Sequence, residues 1–168
     1  MTAESAALAR FTTALEGATG RAAAFSALGD LAAATVAPRL FTVMTLDWQA
    51  GLARRAFSNR PAAYPVSGDK PIERNAWFET IHDRGETFVA NTLGEIARVF
   101  PDADTIAALG CASVMNLPIR LRGTTVGTLN LLDAEAAFDT ATVARAEAAL
   151  RLPAMAAWLV EDRSPPSG

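Results

Sequence analysis

Residues 113–133 read Ser113-Val114-Met115-Asn116-Leu117-Pro118-Ile119-Arg120-Leu121, then Arg122-Gly123, then Thr124-Thr125-Val126-Gly127-Thr128-Leu129-Asn130-Leu131-Leu132-Asp133, and this stretch decides the fold. Both halves are rich in Val, Ile, Leu and Thr and flank a short Arg-Gly loop, the pattern of a tight β-hairpin. With Arg122-Gly123 as the loop, Leu121 faces Thr124, and counting back sets Met115 opposite Asn130 and Leu117 opposite Thr128. On that count Ser113, Met115 and Leu117 share one face with Thr128, Asn130 and Leu132, while Val114, Leu129 and Leu131 lie on the other. Ser113 and Asn130 are then polar groups among apolar neighbours. Each needs a hydrogen-bond partner, supplied by nearby backbone, by ordered water or by a ligand.

Working outward, Ala112 opens the first strand of this hairpin, and a long helix from about Thr140 to Val160 follows it, with Pro153 expected to kink it or start a new helix. Upstream, Asp102 to Leu109 and Thr92 to Phe100 read as short helices, Thr87 to Ala90 as a short buried strand, and Glu73 to Arg84 as a helix closed by Gly85. The segment from Asn59 to Pro71, rich in Pro, Ser and Gly, reads as a long ordered loop, with room for one short strand. A second hairpin precedes it: Leu40–Asp47 alternates apolar residues with Thr, Gln49-Ala50-Gly51 turns, and Leu52–Ser58 returns. The first 37 residues are helical, with Gly17 and Gly20 separating a first helix from a second over about Arg21 to Val36 that stops before Pro38. Hairpins supply the strand pairs and no βαβ repeat occurs, so the class is α+β with an antiparallel sheet. The chain is expected to form one domain over residues 1–163, with its core at about 20–160 and a disordered Ser-Pro-Pro-Ser-Gly tail over 164–168.

Composition narrows the function. The 168 residues hold 51% hydrophobic and 20% charged residues, enough for one core and thin for two. Fifteen Lys and Arg against 18 Asp and Glu leave a net charge of -3, so neither nucleic acid nor an anionic membrane surface is an expected partner. One His and one Cys cannot build a multi-ligand zinc site, a CxxC pair or an internal disulfide, and no metal or cofactor is expected. The start of the chain lacks a basic signal-peptide region, no run is long and apolar enough for a membrane span, and a lone Cys111 suits a reducing cytoplasm.

The C-terminal hairpin resembles the paired strands of GAF domains, in which the second strand begins after a Gly turn, here Gly123-Thr124-Thr125-Val126-Gly127-Thr128-Leu129. The middle, from Tyr64-Pro65-Val66-Ser67-Gly68 through Trp77 to Asn91-Thr92, resembles a bacterial subgroup of short stand-alone GAF proteins, and the likeness spans about Gly20 to Val160. It implies a GAF-like, PAS-related central antiparallel sheet, with N- and C-terminal helices on one face and a ligand pocket under loops and short helices on the other. It also implies a sensory or regulatory role in binding a small-molecule metabolite, a homodimer built through the terminal helices, and output passed to an effector protein partner, since no kinase, cyclase or DNA-binding part accompanies the domain. The Asn-Lys-Phe-Asp-Glu motif of cyclic-nucleotide GAF domains is absent, as is the Cys beside a His of bilin-binding ones. Free methionine sulfoxide reductases of this fold use more than one Cys, and Cys111 has no resolving partner.

Ligand-binding candidates are Tyr64, Arg74, Trp77, Phe88, Asn91, Ser113, Met115 and Asn130. Tyr64 either closes over a ligand or ties down its loop, Trp77 gives a pocket its shape or fills the core, and Arg74 pairs an anion or stays solvated. For catalysis the only candidates are His82, the one group expected to titrate near neutrality, with Glu79 one helical turn back to orient it, and Cys111 as a thiol partner. Two other readings therefore stand beside the sensor: a small redox or metal-assisted enzyme using these residues, and a dimerisation module whose pocket is packed shut by Trp77, Phe88 and Met115.

Overall fold

The computed structural model describes residues 2–66 and 68–162; the expected tail at 164–168 lies outside them. Helices α1 (Ala3–Glu16) and α2 (Arg21–Thr35) lead into strands β1 (Leu40–Asp47), β2 (Leu52–Ser58) and β3 (Asp69–Pro71). Then come a short helix α3 (Ala76–Phe78), strand β4 (Phe88–Ala90), helices α4 (Leu93–Ala97) and α5 (Ala103–Ala108), the hairpin β5 (Ser113–Leu121) and β6 (Thr124–Asp133), and helix α6 (Thr140–Trp158). The strands form one antiparallel sheet in the order β3-β2-β1-β6-β5-β4, so the two hairpins seen in the sequence are joined through β1 and β6 at its centre.

The central strands β1, β6 and β5 are buried along most of their length because the sheet is covered on both sides. One face packs against α1, α2 and α6: Phe41, Val43, Met115, Leu117, Leu129 and Leu131 meet Phe25, Leu28, Ala146 and Leu150 in a continuous core. Where α6 ends, the sheet comes so close that a Cβ on Gly127 would sit 2.4 Å from the Met44 carbonyl and 2.5 Å from the Trp158 ring. The other face is roofed by the segment from Tyr64 to Leu109 through two smaller clusters. One gathers Tyr64, Ile96, Ile106 and Cys111 over Leu40, Val114 and Leu132; the other gathers Trp77, Phe78 and Ile81 with Trp48 and Phe100.

Three local expectations are corrected. The hairpin loop is as counted, with Leu121 opposite Thr124 and Arg120 opposite Thr125, but Ile119 then pairs with Gly127. Val126 is therefore the extra residue of a β-bulge, and every pair beyond it slips by one: Asn116, not Met115, lies opposite Asn130, and Pro118, not Leu117, opposite Thr128. Ser113, Met115 and Leu117 accordingly turn to the helix side, and Val114 to the roofed side. The helix expected from Glu73 starts at Ala76, because the Asn75 side chain accepts from the Trp77 and Phe78 amides at 3.0 and 3.1 Å, and it continues as a π-helix over Glu79–Arg84 before Gly85 ends it in the left-handed conformation. Helix α6 runs through the buried Pro153 as a single helix rather than restarting there.

Candidate functional site

Between sheet and roof lies a cavity of about 380 Å³. Its floor follows from register. Thr42 of β1, Asn130 of β6 and Asn116 of β5 stand directly opposite one another on three adjacent strands, all on the roofed face and all buried. Antiparallel neighbours on one face are close enough to touch, so the three polar side chains bond in a row. The Trp77 indole N–H, reaching down from α3, donates to Asn116 Oδ1 at 3.1 Å; Asn116 Nδ2 donates to Asn130 Oδ1 at 2.6 Å; Asn130 Nδ2 donates to Thr42 Oγ1 at 3.1 Å. The direction of donation is fixed from one end, because an indole nitrogen can only donate. Each amide oxygen thereby accepts one bond within the row, and the N–H and O–H groups not used in it are the second N–H of each amide and the Thr42 hydroxyl proton.

Two further side chains bring charge. Arg55 of β2, opposite Met44, lies on the same face and is only 4% exposed. Its guanidinium stacks 3.5 Å over the Tyr64 ring and donates through Nη1 to the Pro65 carbonyl at 2.8 Å, while Nε is enclosed with no partner. Asp102, at the start of α5, accepts from the Tyr64 hydroxyl at 2.6 Å and from Lys70 Nζ at 3.0 Å, so β3, the long loop and α5 are tied together at one carboxylate. Burial by itself would raise the Asp102 carboxyl, yet the Tyr64 and Lys70 hydrogen bonds and the Lys70 charge hold it below the usual carboxylate range. Burial also pushes the Tyr64 hydroxyl upward, reinforced by the negative charge of Asp102, so it stays a neutral donor. The remaining walls are largely apolar, among them Met44, Val99, Phe100, Ile106, Val114 and Leu132, with the exposed Glu73 at the rim.

Of the residues singled out from the sequence, Tyr64, Trp77 and Asn130 line this cavity. The others do not. Arg74 is exposed and lies 4.8 Å over the Phe78 ring. Phe88 packs edge-on against Phe100, behind the wall. Asn91 uses its side chain to clasp Phe138, donating to its carbonyl at 3.0 Å and accepting from its amide at 3.1 Å. The Ser113 hydroxyl donates to the Ala134 carbonyl at 2.6 Å, and Met115 is buried in the helix-side core. The expected plug of Trp77, Phe88 and Met115 is thus not assembled.

His82 and Cys111 do not meet either. His82 stacks on Phe78 at 4.6 Å and stands edge-on to Trp48 at 4.5 Å, with Nδ1 2.7 Å from Asp83 Oδ1. His82 lies in the π-helical stretch, where bonds run from i to i+5, and its ring partner is Asp83 rather than the expected Glu79. Cys111 is buried in the Tyr64 cluster, and burial, followed by the nearby Asp133 charge, pushes its thiol upward, away from the reactive thiolate. Among the described residues no group of His, Cys, Asp and Glu is arranged to hold a metal ion. Nor is any helix long and apolar enough to cross a membrane. Arg55, Thr42 and Asn116 escaped notice in the sequence: strand alternation puts Arg55 on one face with Ala53, but only the sheet order says that this face looks into a cavity.

No protein-family model and no curated protein matches the chain. Solved structures do. The GAF domain of a phosphoenolpyruvate-protein phosphotransferase from Acinetobacter superposes with a TM-score of 0.69 at 11% identity, over 94% of each chain. The GAF domain of a two-component sensor histidine kinase from Bacillus halodurans gives 0.65 at 14%, over 80% of this chain and 91% of that one. The N-acylhomoserine lactone dependent LuxR family transcription factor CepR2 from Burkholderia cenocepacia gives 0.66 at 16%, over 94% of each. The fold is that of a GAF domain, as the hairpin's resemblance implied.

Proposed function

We propose that this chain is a regulatory domain that binds a small-molecule metabolite in the cavity between its sheet and the roof of α3 to α5. The observation that carries the reading is the cavity itself: about 380 Å³, with mostly apolar walls and a row of buried donors on its floor. Ligand sites commonly have this size and this mixture of apolar surface with a few placed polar groups. GAF domains from a sensor kinase and a phosphotransferase share the fold, as does a lactone-dependent transcription factor, which supports a signalling role over catalysis. Homodimerisation through the terminal helices fits the same reading, since Leu8, Leu152 and Leu159 on α1 and at the end of α6 are 48%, 73% and 66% exposed.

A thermal-shift screen of central metabolites and apolar acids tests the proposal. A ligand at about a hundredfold its Kd adds roughly 2.7 kcal/mol, which in a domain of this size raises Tm by about 5–10 °C. The shift should vanish when the cavity is filled by Val114→Trp. A shift retained in that variant would place binding elsewhere, and a panel that moves nothing would count against a ligand-binding function.

A further inference from the structure

We propose that the cavity is built for a monocarboxylate with an apolar body, its carboxylate seated on Arg55 beside the Thr42–Asn130–Asn116 row; this rests on the ligand-binding reading above. A guanidinium that is 4% exposed and in no ion pair among the described residues is costly to keep, and Nε is left without an acceptor. Its stacking on Tyr64 and its bond to the Pro65 carbonyl meet only part of that cost.

The other cation in the lining is committed. Lys70 is paired with Asp102, whose Oδ2 also takes the Tyr64 hydroxyl, and Glu73 lies exposed at the rim. The interior therefore carries one positive charge outside any ion pair among the described residues, and the floor adds N–H and O–H donors beside it, because the Trp77 indole at one end turns both amide oxygens along the row. A ligand group that satisfies these atoms must be rich in acceptors and carry a single negative charge. A carboxylate does so, facing the part of the Arg55 guanidinium that lines the cavity. A phosphate monoester brings a second charge with no second unpaired cation to meet it, since Lys70 is held by Asp102, and Glu73 at the mouth to repel it. A neutral amide or alcohol leaves the Arg55 charge uncompensated. The rest of the ligand then lies against Trp77, Phe100, Ile106, Val114 and Leu132.

Isothermal titration of the full chain with matched pairs tests this: hexanoate with hexanamide, phenylacetate with phenylacetamide, indole-3-acetate with indole-3-acetamide, and phenyl phosphate as the dianionic arm. In at least one pair the carboxylate should bind roughly 10–100-fold tighter than its amide, the range expected when charge-assisted hydrogen bonds are gained. Arg55→Met, similar in length and uncharged, should abolish that preference, Arg55→Lys should keep part of it, and Thr42→Val should weaken the carboxylate alone. Amides that bind as tightly as their acids, a preference that survives Arg55→Met, or phenyl phosphate binding tightest would each overturn the carboxylate assignment while leaving the cavity a ligand site. Failure of every probe at millimolar concentration would overturn the carboxylate assignment, and the thermal-shift panel, read separately, decides whether the ligand-binding reading falls with it. If circular dichroism shows Arg55→Met to be unfolded, the matched pairs on the unaltered chain decide the matter alone.

Discussion

Removing Asn116 from the middle of the polar row should destabilise the domain well beyond an ordinary surface change. Asn116 is 3% exposed and bonds in both directions, accepting from Trp77 Nε1 at 3.1 Å and donating to Asn130 Oδ1 at 2.6 Å. Asn116→Ala strands a buried indole N–H and a buried amide oxygen, each worth about 1–3 kcal/mol when left unpaired. The adjoining 380 Å³ cavity can admit water to one or both, so the lower part of that sum applies, about 2–4 kcal/mol. In a domain of this size that lowers Tm by about 4–16 °C. Melts followed by circular dichroism and by tryptophan fluorescence measure it, the fluorescence reporting Trp77 together with Trp48 and Trp158. The row also makes the two asparagines interdependent: once Asn116 is gone, truncating Asn130 removes less. A double-mutant cycle with Asn130→Ala should return a coupling of at least about 1 kcal/mol, as expected for residues in one network. A loss under about 1 kcal/mol for Asn116→Ala together with additive behaviour in the cycle would refute the row as a structural unit.

Gly127→Ala should cost about 2–3 kcal/mol by overpacking, since the new methyl meets the Met44 carbonyl and the Trp158 ring, and thermal melts of the variant check it. Asp102→Asn should cost about 1–2 kcal/mol near neutral pH by breaking its charge-assisted bonds to Lys70 and Tyr64. Because the folded Asp102 carboxyl lies below its unfolded value, that contribution is present above about pH 4 and is lost as the pH falls through the folded pKa. Stability measured against pH should therefore show wild type and variant converging in acid; a constant gap would refute the assignment. Cys111, buried and with its thiol pushed upward, should react with a thiol reagent only as fast as the protein unfolds. Rapid labelling of the native protein would restore the case for a reactive thiol.

The α+β class, the two antiparallel hairpins and nearly every element were legible in the chain, because period-two alternation, Gly turns and helix stops are local signals: Arg122-Gly123 alone sets Leu121 opposite Thr124. A site on one face of a sheet is a different matter, since it depends on a count that must hold along the whole strand. One bulged residue, Val126, exchanges the faces of everything beyond it, replacing Met115 by Asn116 on the cavity floor and sending Ser113 to the far side. Nor does a strand declare which of its faces will be roofed. Arg55, next to Arg54 in the sequence, becomes a buried cation with an unpartnered Nε only when β2 is placed beside β1 and the Tyr64 ring lies over it. Local signals along the chain set the elements and the two hairpins; the joining of those hairpins through β1 and β6, and the set of side chains that share the cavity, came only with folding, because burial and charge compensation are properties of neighbours distant along the chain.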